Sequence, residues 1–330
     1  MSARHAYCTF FDVGYLSRAM SLVESLRRHG DDAPVWVLAL DGEVASRIAA
    51  LGIDGIHVIE IAELEAAVPG LAPLKSERSR MEYYFTMTPL LIRHVMRRSE
   101  PGTAVAYLDA DMWFFDDPGA VWDAMGAGSI GIIEHRYPPA IERRLAKYGR
   151  FNVGWVGFAG DERAAACLDW WSASTLEWCG DTPVDGKYAD QGYLDQFPGR
   201  FDGVAILEPL GMDAAPWNSS RFPWTERAGR PYVGGDPLVF FHFHGVRRLG
   251  GWWVTSQLIY RAPIGRVLRD LVYRPYAAAL DRWDARLQIA APPAKRGVGI
   301  RGLLFRAQRV VLGVVSVLSG NAVRAKRLSA

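Results

Sequence analysis

The sequence predicts an α/β fold, a mostly parallel sheet covered by helices on both faces. Short runs rich in β-branched and aromatic residues alternate with segments whose apolar residues recur every three to four positions, which is the pattern of strand and helix in turn. No internal repeat or low-complexity run interrupts this alternation. The length of 330 residues, half of them apolar and 22% charged, suits one large globular domain with an appendage.

The elements follow in order. Residues 6–11, "AYCTFF", form a first strand, and a loop with Asp12 and Gly14 leads into a helix whose Leu16, Met20, Val23 and Leu26 fall at spacings of three and four. Gly30 stops that helix. "PVWVLAL" (34–40) is a second strand ending at Asp41-Gly42, "ASRIAALG" (45–52) a short helix and "IHVIEI" (56–61) a third strand. Residues 77–98 carry a long helical pattern in which Pro89 predicts a kink. "AVAYLDAD" (104–111) closes the series. Beyond it the chain turns irregular and rich in aromatic residues and glycine, as expected of a half built around a substrate. Residues 264–288 return to an amphipathic helical pattern (Val267, Leu268, Leu271, Val272, then Ala279, Leu280, Trp283) broken at Pro275. A Pro-Pro-Ala-Lys linker follows. The expected units are 1–255, a helical extension over 256–290 and a tail over 291–330.

The net charge of +2 hides an asymmetry. The last 40 residues hold eight Lys/Arg and no Asp/Glu, so the first 290 carry 30 basic and 36 acidic groups. A mildly acidic body with a basic tail argues against nucleic acid as a partner and for contact with an anionic surface. In the tail, Leu304, Ala307, Val311, Val314 and Leu318 share one helical face opposite Arg306 and Arg309. That face suits an anionic membrane surface, and equally suits docking on the protein body or a partner. Cys8, Cys167 and Cys179 have no metal-site or disulfide-framework spacing, which favours a reduced, cytoplasmic compartment. No signal peptide or membrane span is expected, so any membrane association would be peripheral, on the inner face.

In "AVAYLDADMWFFDDP" two carboxylates, Asp109 and Asp111, flank one alanine at the end of the apolar run. In open α/β sheets ligands bind outside the carboxyl ends of strands, where these two residues lie. Residues i and i+2 of a strand point the same way, so the pair would face one small volume and need a counter-ion. A divalent cation supplies one, and hard oxygen ligands favour Mn²⁺ or Mg²⁺. The competing reading makes one Asp a turn cap and the other a solvated group.

"YLDADMWFF" resembles the D-x-D segment of the GT-A glycosyltransferases, particularly the glycogenin-like and lipopolysaccharide galactosyltransferase-like group. Further segments agree in the same order over about residues 5 to 250: "YFTMTPLLIRHVM" before the D-x-D strand, "FNVGWVGF", "ADQGYLDQF" and "FFHFHG". The resemblance implies a GT-A fold and Mn²⁺ (or Mg²⁺) held by Asp109, Asp111 and His242. It implies transfer of a sugar from a UDP-sugar to a hydroxyl of a glycan, glycolipid or protein, with retention of configuration. Asp190 and Gln191 would face the reacting sugar, and Asn152 and Gly154 would contact the donor.

Other donor contacts implied are Leu108 and Ala110 around the acidic pair, Gly245 after the histidines, and Thr9, Asp12 and Tyr15 bordering the base. His244 would be an outer-sphere or substrate contact. Where the family often has a lysine that touches the diphosphate, this chain reads "VRRLGGWW", so Arg247 or Arg248 would supply that charge. Arg80, with Lys75 and Arg78, is a phosphate clamp or a solvated charged face. Each residue has a plainer alternative: a packed histidine, a core strand with a bulge at Asn152–Gly154, or a helix cap at Asp190. Trp170, Trp171 and Trp178 at helical spacing read as packing.

Two other functions compete. A non-catalytic nucleotide-sugar or carbohydrate-binding protein of the same fold would not need both aspartates and His242. A nucleotidyltransferase would want a Gly-rich phosphate loop after the first strand, which "TFFDVGYLSRAM" lacks. The segments over 135–150 and 212–235 have no sequence-level reading.

Overall fold

The computed structural model describes residues 4–288 and 310–324. The first half alternates as expected: β1 (His5–Phe11), α1 (Leu16–Arg28), β2 (Val35–Ala39), α2 (Gly42–Leu51), β3 (Ile56–Glu60), α3 (Ile61–Ala67), α4 (Leu71–Glu77), α5 (Arg80–Arg98) and β4 (Ala104–Leu108). Then come β5 (Met112–Phe114), α6 (Gly119–Met125), β6 (Ile130–Glu134), α7 (Leu145–Tyr148), β7 (Phe151–Phe158), α8 (Glu162–Glu177), α9 (Phe197–Arg200) and β8 (Val204–Ile206). The last third holds short strands, β9 (Trp224–Arg227), β10 (Arg230–Val233), β11 (Asp236–Pro237), β12 (Phe240–His242), β13 (Arg247–Leu249) and β14 (Trp252–Val254), then α10 (Arg274–Arg286) and β15 (Ala322–Val323).

Seven strands form the central sheet in the order β3-β2-β1-β4-β7-β6-β8. Only β7 runs against its neighbours β4 and β6, so the sheet is mostly parallel. Its strands serve two cores, one on each face. In β4, Ala106 and Leu108 join the core under α1 and α2, while Val105 and Tyr107 join the core under α5 and α8. This explains why "AVAYL" is apolar throughout: both of its sides are buried. The chain steps outward from β1 to β3 and then returns to place β4 on the other side of β1. That reversal opens a crevice at the carboxyl ends of β1 and β4.

The long helix expected over 77–98 is α5, which begins three residues later than expected, after the separate helix α4 (Leu71–Glu77). Arg78 is extended between them, and Ser79 with Glu82 forms a capping box that starts α5 at Arg80. Pro89 lies inside α5, which runs on to Arg98. The break expected at Pro275 is a local widening: residues 268–273 form a π-helical turn that runs directly into α10, with Pro275 in its first turn. The widened turn accommodates Pro275, which lacks the N–H and whose ring would crowd a regular preceding turn.

Residues 310–324 return to the body. β15 pairs with β14, Trp253 opposite Val323 and Val254 opposite Ala322, and the Thr255 hydroxyl donates to the Asn321 carbonyl at 2.9 Å. Of the face proposed for the tail, Val311, Val314 and Leu318 are exposed, whereas Leu304, Arg306, Ala307 and Arg309 lie outside the described residues. Among the described residues no helix is long and apolar enough to cross a membrane.

Candidate metal and substrate site

Asp109, Ala110 and Asp111 form a tight turn, not a continuing strand. The Met112 N–H donates to the Asp109 carbonyl at 3.1 Å, and β5 starts at once. The two carboxylates therefore converge by a reversal of the chain and not by the strand pleat expected from their spacing. The Tyr107 hydroxyl donates to Asp109 Oδ1 at 2.9 Å.

The third member arrives through β5. That strand pairs antiparallel with β12, His242 opposite Met112, and the Phe243 N–H donates to the Asp111 carbonyl at 2.8 Å. This register sets the His242 ring against both acids, with Nε2 3.1 Å from Asp111 Oδ1 and 3.5 Å from Asp109 Oδ2. One donor atom from each of Asp109, Asp111 and His242 lies within 4.8 Å of the others. Two carboxylates and one imidazole, gathered that closely at a crevice, are a donor set that fits a hard to borderline divalent ion.

The sequence reading missed Asp213. Residues 212–215 run beside β12, where the His242 N–H donates to the Ala214 carbonyl at 2.8 Å. Asp213 is fully buried, with a left-handed backbone (φ 57°). Its carboxylate sits 3.8 Å from His242 Nδ1, and its two oxygens accept from the Asn152 side-chain amide at 3.1 and 2.9 Å. The buried Arg136 guanidinium braces this segment by donating to the carbonyls of Leu207 and Met212. Gly154 makes room for the imidazole: a Cβ there would lie 2.6 Å from His242 Nδ1, so only glycine lets the ring pack against β7.

The electrostatics follow from burial and these partners. Burial opposes the charged form of His242, but Asp111, Asp213 and Asp109 together hold it well above the usual imidazole range. Burial also pushes the Asp111 carboxyl up, and the His242 charge and hydrogen bond, helped by His244 and Arg18, outweigh it and bring the group to about 2. Asp109 is raised, first by burial and then by Asp111, against the pull of His242. Asp190 is raised to about 7, mainly by burial, with the Thr88 hydroxyl working the other way.

Asp109, Asp111, His242 and Asp190 line a cavity of about 500 Å³. Its lining also includes Asp12, Tyr15, Ala110, Asn152, Gln191 and His244 among the residues named from sequence. Asp190 enters after Ala189, whose left-handed backbone (φ 48°) is costly for a residue with a Cβ. The Trp171 indole donates to the Asp190 carbonyl at 3.0 Å, so this buried tryptophan packs and also fixes the acid. Gln191 donates to the Tyr148 carbonyl at 2.6 Å. The His244 ring stands 6.0 Å from that of His242, both edge-on to Trp217.

Other expected residues stand elsewhere. Thr9 and Leu108 are buried in their strands, and Gly245 meets Ser256; none of them lines the cavity. Arg80 pairs with Asp12 at 2.9 Å just outside the cavity wall, beside Met81 and Tyr84. Arg78 is a structural clamp, donating to Thr86 and to the carbonyls of Thr175 and Leu176, while Lys75 pairs with Glu65. Arg248 is committed to α10, 3.0 Å from Asp281 and 2.8 Å from Asp284. Arg247 is in β13, and neither of these arginines lines the cavity. Arg18, on the first turn of α1, does not line the cavity either, but its charge acts on Asp111, and it donates to the carbonyls of Gly14 and Val246. Its sequence signal was only its place one turn after the β1–α1 loop.

No protein-family model matches the chain. A Bacillus subtilis (strain 168) protein named YfnF is 31% identical over 252 residues, covering 73% of this chain and 82% of its own. A second protein of that strain, YfnD, is 28% identical over 294 residues, covering 88% of this chain and 93% of its own. Both carry the description "uncharacterized protein". Among solved structures, the galactosyltransferase LgtC in complex with donor and acceptor sugar analogs is similar at 17% identity and a TM-score of 0.48, over 87% of this chain and 98% of that one.

Proposed function

We propose that this chain, which belongs to the family of Bacillus subtilis YfnF, is a GT-A glycosyltransferase that moves a sugar from a UDP-sugar to a hydroxyl acceptor with the help of Mn²⁺ or Mg²⁺. One observation carries the reading: Asp109, Asp111 and His242 converge at the switch point of a mostly parallel sheet, on the wall of a cavity large enough for a nucleotide-sugar. The sequence segments that resemble this family supply that triad, and they also supply Asn152, Asp190 and Gln191 around it.

Asp109, Asp111 and His242 would hold the ion, and Asp213 would fix the His242 ring through Nδ1 so that Nε2 faces it. A divalent ion held there would supply positive charge to a diphosphate leaving group. Arg18 adds positive charge on the same side. Phe10, Phe11, Leu40, Tyr84 and Phe85 provide the apolar wall that a base would pack on. The buried Asp190 carboxyl faces the space left for the reacting sugar, and Gln191 holds the adjoining wall. Retention is assigned from the resemblance, with the leaving phosphate taking up the acceptor proton. The catalytic domain is residues 1–255 and the helical extension 256–290. The exposed Val311, Val314 and Leu318, in a tail without acidic residues, support contact with an anionic membrane. Sedimentation with anionic vesicles, with and without residues 291–330, tests that contact.

The central test is UDP release from a panel of UDP-sugars with Mn²⁺ present or chelated, repeated on Asp111→Ala. Metal-dependent release that the substitution abolishes is expected. Release that ignores both the chelator and the substitution, or none from any donor, sinks the reading.

A further inference from the structure

Building on the glycosyltransferase reading, we infer that the acceptor carries an anionic group, a phosphate or a carboxylate, that pairs with Arg144 in an aromatic part of the cavity. Arg144 ends the short 3-10 helix over Pro139–Arg144 and lines the cavity. Its guanidinium lies 4.8 Å from the ring centroid of Tyr260 and 5.9 Å from that of Tyr148. Among the described residues no carboxylate pairs with it, whereas Arg80 has Asp12 and Arg248 has Asp281 and Asp284. Ring faces hold a guanidinium in place, but they leave its planar fork of N–H donors open to a carboxylate or phosphate.

The surrounding rings point the same way. The hydroxyls of Tyr137, Tyr148, Tyr188 and Tyr260 make no hydrogen bond to protein among the described residues. Away from the cavity, Tyr7 and Tyr83 donate to carboxylates. Flat rings with open hydroxyls suit a sugar, whose apolar face stacks and whose hydroxyls donate and accept. A charge that is fixed by rings and left unpaired within such a wall would select among sugars by their substituent. This wall belongs to the acceptor and not to the diphosphate. Arg144 stands over Tyr260, whose ring lies 6.2 Å from that of His244, itself 6.0 Å from that of His242, so two rings separate it from the acidic pair.

The test is calorimetric titration of the full chain, saturated with Mg²⁺ and UDP, with glucose, glucuronate, glucose 6-phosphate and inorganic phosphate. At least one of the two charged sugars should bind about tenfold or more tightly than glucose. Arg144→Gln should remove that preference while leaving Mg²⁺–UDP affinity unchanged, and Arg144→Lys should restore part of it. Whether glucuronate or glucose 6-phosphate gains more decides between carboxylate and phosphate. Equal binding of all three sugars overturns the inference, as does a preference that survives Arg144→Gln. Inorganic phosphate binding as well as the sugar phosphate overturns it too, and so does a matching loss of UDP affinity in the variant, which would move Arg144 to the diphosphate. If the wild type does not bind Mg²⁺–UDP at all, the glycosyltransferase reading itself has failed.

Discussion

Asp213 stands behind His242: its carboxylate lies 3.8 Å from Nδ1, on the side of the ring away from the acidic pair. That acid also receives the Asn152 amide, so β7, β12 and the 212–215 segment are joined at one buried carboxylate. An imidazole so placed turns Nδ1 toward Asn152 and Asp213 and directs Nε2 at Asp111.

Substituting that carboxylate tests whether it sets the metal affinity. Asp213→Asn keeps the size of the side chain but not its charge, and should weaken Mn²⁺ binding by about 10- to 100-fold, the usual effect of losing an outer partner of a ligating histidine. Mn²⁺ titration followed by electron paramagnetic resonance measures it. Unchanged affinity would show that the ring needs no anchor.

Gly154→Ala should displace His242. The new Cβ would lie 2.6 Å from Nδ1 and 2.8 Å from Asn152 Nδ2, so ring and amide must both move. Overpacking of this kind costs about 1–3 kcal/mol. Urea denaturation should show that loss, and Mn²⁺ affinity should fall alongside it.

The Asp190 carboxyl, raised to about 7 by burial, makes stability depend on pH. Between about pH 4 and pH 7 the unfolded chain has this group ionised while the folded protein keeps it protonated. Folding therefore takes up a proton, and the wild type loses stability as pH rises through that window, then levels off. The loss is at most about 4 kcal/mol. Asp190→Asn lacks this titration, so its stability relative to the wild type should climb from pH 4.5 to pH 8 in urea melts. A flat difference would place the group near its ordinary value.

Arg248 and Arg18 should separate cleanly. Arg248→Ala breaks two ion pairs with α10 that are each worth at most about 1 kcal/mol, and should leave Mg²⁺–UDP affinity unchanged. Arg18→Ala should weaken that affinity by about tenfold, because its charge acts on Asp111. Calorimetry on both variants distinguishes them, and the reverse order would return the diphosphate contact to the β13 hairpin.

The parts of the site readable in advance were those tied to a local pattern. Asp109 and Asp111 follow an apolar run, and such a run ends at a sheet edge wherever it is packed. His242 and Asp190 stand in short segments whose order along the chain matches a known arrangement. For Arg248 charge alone said nothing about direction: the β13–β14 hairpin sets it opposite Trp253, and it reaches the acids of α10. Asp213 was invisible because its segment has no period or spacing, and only the β12 contact gives it a role.

By itself the sequence determined the layers, since alternating periods of apolar residues dictate which strands are buried on both faces. It also determined that an acidic pair would emerge at the carboxyl end of β4. Tertiary structure alone decided what meets that pair. The β5–β12 register brings an imidazole from more than a hundred residues away, and the missing Cβ of Gly154 makes room for it. Such contacts depend on the packing of distant segments, and no local pattern along a chain encodes which distant side chain will fill a given space.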